Sequence, residues 1–195
     1  MAGPAAALAV AMAAGACGGG GEPRSDRVIP LPTETPTTST ATSTTSTVPS
    51  FGFDHDTVQK VWADYQAAVD VLDSLIAAPN PDDARLAIAL TGPMLEHWRT
   101  ELSEQRAAGE VAVYPPGSRH REELMGVRSL SADIAELDVC GLDDAVVTGT
   151  SGEVMNDNVA IVRVIEKLKL DGGRWKWMER VGTDATETEC PGFFE

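Results

Sequence analysis

Residues 33–48 read TETPTTSTATSTTSTV, and twelve of these sixteen are Thr or Ser. A stretch with so little to bury cannot offset the entropy of ordering itself, so it stays extended and solvated. Pro punctuates the wider segment, and Pro with β-branched Thr makes it stiffer than a Gly/Ser linker. Residues 18–52 therefore read as a tether. An O-glycosylated stalk of the same composition is the alternative to an unmodified linker. Whatever core the chain builds must come from residues 53–195. That remainder is long enough for one self-sufficient hydrophobic core without metals or dense disulfides.

Ahead of the tether, residues 1–16 (MAGPAAALAVAMAAGA) form an Ala-rich apolar run, too short for a membrane span but suited to an export signal. The run ends Ala14-Gly15-Ala16-Cys17 and is followed by four glycines. Small residues before a cysteine and flexible ones after it resemble the lipobox of bacterial lipoproteins. Ala14 stands where Leu is usual, and an ordinary cleaved secretory signal is the alternative. The resemblance implies a signal peptide over 1–17, lipidation at Cys17, and an exported protein anchored at the outer face of the cytoplasmic membrane. Each buried acyl methylene contributes about 0.8 kcal/mol to such anchoring.

The formal net charge is −15, nearly all of it after Phe51. So acidic a surface repels phosphate backbones and anionic headgroups, which argues against nucleic-acid partners. Membrane attachment then rests on the lipid anchor, since no stretch after residue 17 is long and apolar enough to span a bilayer.

Within 53–195 the apolar period begins helical. Val58, Val61, Trp62, Tyr65, Val69, Leu72, Leu75 and Ile76 recur on one helical face, with Asp56 and Gln59 as the expected capping box. Asn80-Pro81-Asp82-Asp83 is the expected start of a second, short helix ending near Leu90. Thr91-Gly92-Pro93 starts a third, with Met94, Leu95, Trp98 and Leu102 on its apolar face and Gly109 as C-cap. The period then changes. A short extended piece over 111–114 is followed by expected strands from about Arg119 to Leu130, Ala132 to Cys140 and Val159 to Leu170. Ala135, Leu137 and Val139 alternate with Glu136, Asp138 and Cys140, the mark of a half-buried strand. Asp171-Gly172-Gly173 is a tight hairpin turn, with Trp175, Trp177 and Val181 alternating beyond it. The layout is α+β: three helices, then a curved antiparallel sheet of four to five strands.

In an exported chain the pair Cys140 and Cys190, outside the anchor, is most simply a disulfide that staples the tail TDATETECPGFFE to the sheet. Nothing resembling Cys-x-x-Cys supports a redox-active pair.

The first helix (VWADYQAAVD), the strand Ala135–Cys140, the start Gly173-Arg174-Trp175-Lys176 and a terminal cysteine, behind a lipobox and a Thr-rich stalk, together form a pattern. It resembles the nuclear transport factor 2-like superfamily, which includes SnoaL-like and ketosteroid isomerase-like proteins. Within it, the pattern is most similar to surface lipoproteins of high-GC Gram-positive bacteria. The resemblance covers about residues 53–190. It implies a sheet wrapped round the long helix as a cone, often with a pocket at its open end. Enzymes of this superfamily place a carboxylate or histidine inside the cone.

Glu166 falls in register with Val162, Val164, Leu168 and Leu170, and is the weak candidate for such a carboxylate. The reading adopted is that it sits where the strand leaves the core. His55, His97 and His120 read as surface or capping residues. Asp143-Asp144 and Asn156-Asp157-Asn158 lack the spacing and glycine of a calcium loop. No phosphate loop, zinc spacing or Gly-x-Ser-x-Gly is present. No catalytic constellation, metal site or cofactor is expected. Trp62, Tyr65, Met94, Trp98, Tyr114, Trp175 and Trp177 are candidate lining for an apolar pocket, with simple core filling as the plainer alternative. The favoured function is a non-catalytic module binding an apolar small molecule or an envelope protein. A structural accessory domain ranks second, and an isomerase- or cyclase-like enzyme using Glu166 third.

Overall fold

A computed structural model describes residues 51–184 and 189–193. The expected signal, Cys17 and the tether up to residue 50 lie outside the described residues. Among those described, no helix is long and apolar enough to cross a membrane.

The first helix, α1 (His55–Ile76), is capped by Asp54 and not Asp56: the Asp54 carboxylate accepts the Thr57 amide at 2.9 Å. Asp56 falls instead in the first turn, where a negative charge meets the positive end of the helix dipole. Gln59 turns to the His55 ring at 3.0 Å. The second helix, α2 (Ala84–Ala89), starts later than expected, because Asp83 is the residue whose side chain caps it. Asn80 accepts the Asp82 amide in the turn before. Helix α3 (Gly92–Ala108) begins after Thr91 with Pro93 in its first turn and ends at Gly109 in the left-handed conformation, as its sequence predicts.

Seven strands follow: β1 (Val111–Val113), β2 (Arg121–Leu130), β3 (Ile134–Asp143), β4 (Val146–Thr148), β5 (Val154–Asn156), β6 (Ala160–Asp171) and β7 (Arg174–Asp184). They form two antiparallel sheets where one was expected. The main sheet has the order β2-β3-β6-β7, and a smaller one has the order β1-β4-β5. β3 runs past its expected end at Cys140 and breaks after Asp143, so that β4 can pair with β1. Between β6 and β7, Gly172 and Gly173 both have positive φ, which the two-residue turn requires.

Helix α1 lies on the inner face of the main sheet. Its Val61, Tyr65, Ala68 and Leu72 pack with Leu137, Val139, Val164 and Leu168 of β3 and β6 and with Trp175 and Trp177 of β7. On the outer face of β3, where the tail was expected to be stapled, Cys140 and Leu142 are fully buried. Cys190 and Phe193 of the tail cover them, with Cys140 and Cys190 joined as a disulfide. Arg121 clamps this tail, its guanidinium 4.4 Å from the Phe193 ring centroid and donating to the Gly192 carbonyl at 2.5 Å.

Bulges decide which side chains enter the core. In β7, Glu179 pairs with Lys167 and Trp177 with Leu168, so Met178 is an extra residue between them. The bulge reverses the alternation. Val181, expected on the tryptophan face, is 62% exposed, and Arg180 turns inward opposite Glu166. Two further register shifts in β2, at Met125 and Arg128, turn Val127 inward and then restore the alternation, and Glu122 lies opposite Gly141 on the inner side with Leu124.

Gly182 lies where β7 closes onto β6. A Cβ there would stand 2.6 Å from the Arg163 carbonyl oxygen and push into the Val164 side chain. Gly182→Ala is expected to cost about 1–3 kcal/mol by overpacking a contact that the backbone cannot relieve. Chemical denaturation monitored by tryptophan fluorescence measures it.

Candidate functional site

Glu166 faces inward and is 0% exposed, so the expectation that it marks the strand's exit from the core is overturned. The β3–β6 register sets Glu166 opposite Leu137, in mid-sheet beneath α1. A buried carboxylate needs a partner, and the Met178 bulge supplies it. Arg180 Nε donates to Glu166 Oε1 at 2.6 Å, and Tyr65 of α1 donates its hydroxyl to the same oxygen at 3.1 Å. Arg180 Nη2 also reaches the Tyr65 hydroxyl at 3.2 Å and Glu122 Oε1 at 3.4 Å. Its guanidinium lies 4.6 Å from the Trp177 ring centroid.

One guanidinium thus serves two buried carboxyl groups. Burial pushes both Glu122 and Glu166 above the usual carboxylate range, and the charge of Arg180 restrains the rise. Burial works against the Arg180 charge, but Glu166, Tyr65 and Glu122 outweigh it and raise its pKa. Tyr65 is pushed up by burial first and then by the two carboxylates, so it stays a hydroxyl donor. The cluster is a locked ion pair rather than a poised base.

Beside it, His120 stacks on Tyr114 with ring centroids 4.0 Å apart. His120 Nδ1 lies 2.9 Å from the Leu142 carbonyl oxygen and Nε2 3.4 Å from Asp73 Oδ2. A carbonyl oxygen only accepts, so Nδ1 carries a proton, and a second proton on Nε2 is then favoured by Asp73. The Asp73 carboxylate accordingly raises the His120 pKa above its ordinary value of about 6.5. This contribution to stability is complete below that ordinary value and is lost as pH rises through the raised folded-state value. An NMR titration is expected to show His120 titrating high, and Asp73→Asn is expected to return it toward about 6.5.

Two concavities adjoin this cluster. The outer pocket, about 430 Å³, opens between α3 and β7 and is lined by Pro93, Met94, His97 and Trp98 on one side and Trp177, Glu179 and Arg180 on the other. The spacing of 94, 97 and 98 puts those three side chains on one helical face. An inner cavity of about 100 Å³ shares Trp98, Trp177 and Arg180 with it and continues to Tyr114, His120 and Glu122.

Of the expected lining residues, Met94, Trp98 and Trp177 border the outer pocket, and Tyr114 borders the inner cavity. Trp62, Tyr65 and Trp175 are buried in the main core, with Trp62 stacked on Tyr65 at 5.3 Å. His97 reaches the pocket rim, while His55 stays at the start of α1. Glu122, Asp73 and Arg180 were not singled out in the sequence, because bulges and helix packing bring them in. Among the described residues no cluster of His, Cys, Asp or Glu can hold a metal ion.

Neither a family model nor a curated protein matches this chain. Its fold is similar to that of the intermembrane-space region of the chloroplast protein ARC6, at 17% identity over 68% of this chain and 98% of that one, with a TM-score of 0.54. Looser alignments include a candidate scytalone dehydratase from Novosphingobium aromaticivorans, at 14% identity over 67% of this chain and 91% of that one, TM-score 0.45. Another is a nuclear transport factor 2-like protein of unknown function from Silicibacter pomeroyi, at 13% identity over 66% and 98%, TM-score 0.38. These likenesses speak to the fold alone.

Proposed function

We propose that this chain is an exported lipoprotein, acylated at Cys17, whose tethered domain is a nuclear transport factor 2-like cone that binds an apolar small molecule. The observation that carries the binding reading is the outer pocket. At about 430 Å³ it falls in the range of small-molecule sites, and Trp98, Trp177, Met94 and Pro93 give it an apolar wall. Catalysis by Glu166 gains no support, since its carboxyl is held by Arg180 and Tyr65 and does not line either concavity. An envelope protein as partner, or a purely structural role, has no comparable feature behind it.

The test is titration of the full chain with the neutral apolar dye N-phenyl-1-naphthylamine. The expected result is saturable enhancement of dye fluorescence, weakened by His97→Trp, which fills the pocket from its exposed rim. Enhancement that does not saturate, or that ignores the substitution, contradicts the pocket as the site.

A further inference from the structure

The inner cavity is small and the outer pocket larger, and the two meet at Trp98, Trp177 and Arg180. A ligand filling both has a compact head in the inner cavity and a larger body in the outer pocket. The chemistry of that head follows from what the cavity lining leaves unmatched. Trp98 Nε1 and Glu122 Oε2 are both buried without a hydrogen-bond partner among the described residues. Trp177 Nε1 is instead turned to the Glu166 carboxyl. The Glu122 side chain is 12% exposed. One donor and one acceptor therefore face desolvation unless a ligand meets them, at about 1–3 kcal/mol for each group left unmet.

An anion fits this lining poorly. The lining cations are already engaged, Arg180 by Glu166 and Glu122 and His120 by Asp73, while Asp73, Glu122 and Asp143 add negative charge. An ammonium group donates only, so it answers Glu122 and leaves the Trp98 indole N–H unmet, beside a guanidinium of like charge. A hydroxyl both donates and accepts and carries no charge. It can give its proton to Glu122 Oε2 and take an indole N–H in return. The cavity, at about 100 Å³, has room for a head of that size, a water's share of liquid volume being about 30 Å³.

We infer that the ligand is a neutral hydroxylated amphiphile, its hydroxyl seated in the inner cavity between Glu122 and the indole N–H of Trp98, its apolar body in the outer pocket. The inference rests on the binding function proposed above and adds the class of ligand.

The test uses three soluble probes with one apolar body: cyclohexanol, cyclohexylammonium and cyclohexanecarboxylate. They are titrated into the full chain while the indole N–H signals of its tryptophans are followed by NMR. Cyclohexanol is expected to shift the Trp98 and Trp177 signals saturably and to bind about tenfold tighter than either ion, the ratio expected for one well-made hydrogen bond. Trp98→Phe, which keeps a ring and removes the N–H, is expected to weaken cyclohexanol by about three- to tenfold. Tighter binding of the ammonium or the carboxylate overturns the hydroxyl assignment, as does cyclohexanol binding untouched by Trp98→Phe. If the naphthylamine dye binds and no cyclohexyl probe does, the head-group inference fails while the pocket stands. If the dye fails as well, the binding function falls with it.

Discussion

Arg180→Met is expected to destabilise the domain by about 3–5 kcal/mol, the usual cost of leaving a buried charge without its partner. The size of the effect comes from the partners rather than from Arg180 itself, whose side chain is 34% open to solvent. Glu166 is fully buried, with Arg180 Nε at 2.6 Å, and Glu122 shares the same guanidinium. Without the cation both carboxyl groups must take up protons to remain inside. Burial already raises their folded-state pKa values, and the loss of Arg180 removes the restraint on that rise. The folded state then binds more protons than the unfolded state once pH exceeds the ordinary carboxylate value of about 4.3. The variant's stability should therefore fall as pH increases from there to the raised folded-state values. Adding Glu166→Gln should return part of the loss, because a neutral amide can accept the Tyr65 hydroxyl without a counter-charge. Urea denaturation of the three proteins between pH 4 and 8 measures both the cost and its sign.

Cutting the disulfide should have an effect of similar size through a different cause. Cys140 and Cys190 are separated by 50 residues. In the chain-entropy model, releasing a loop of that length costs about 4 kcal/mol. Paired Cys140→Ala and Cys190→Ala substitutions are thus expected to lower the melting temperature by roughly 12 °C. The bond also holds Phe193 over Leu142, with Met125 and Ile161 at the edge of that small cluster. Its loss should free the tail and expose this outer patch, so limited proteolysis is expected to trim the tail in the variant and spare it in the parent. Calorimetry and proteolysis read the two consequences separately.

Most of the scaffold was legible because it is written in local pattern. The apolar stripe from Val58 to Ile76, the Gly109 stop and the Gly172-Gly173 turn each depend on residues near in sequence. The candidate site was legible only in part, because it depends on departures from pattern. Strict alternation puts Arg180 outside and Val181 inside; one extra residue at Met178 exchanges them. Glu122 alternates with Leu124 on the inner face, but a glutamate at that position reads as a core residue only once Arg180 is placed beside it. Glu166 did carry a signal, its register with Val164 and Leu168, but a buried carboxylate is believable only once its cation is known, and that cation lies beyond the bulge. The cover on the outer face of β3 was legible through its covalent bond: the Cys140–Cys190 link was expected, and the burial of Leu142 beside Phe193 follows from the tail that the link holds there.

We propose a lipid-anchored domain that holds a small molecule between α3 and β7. The most direct measurement is mass spectrometry of the chain extracted from its own membrane fraction, first native and then denatured. The expected result is a native mass above that of the denatured chain by one small neutral molecule, and a denatured mass that includes acyl chains on Cys17. A folded domain whose native and denatured masses agree, on a chain with an unmodified Cys17, would contradict it.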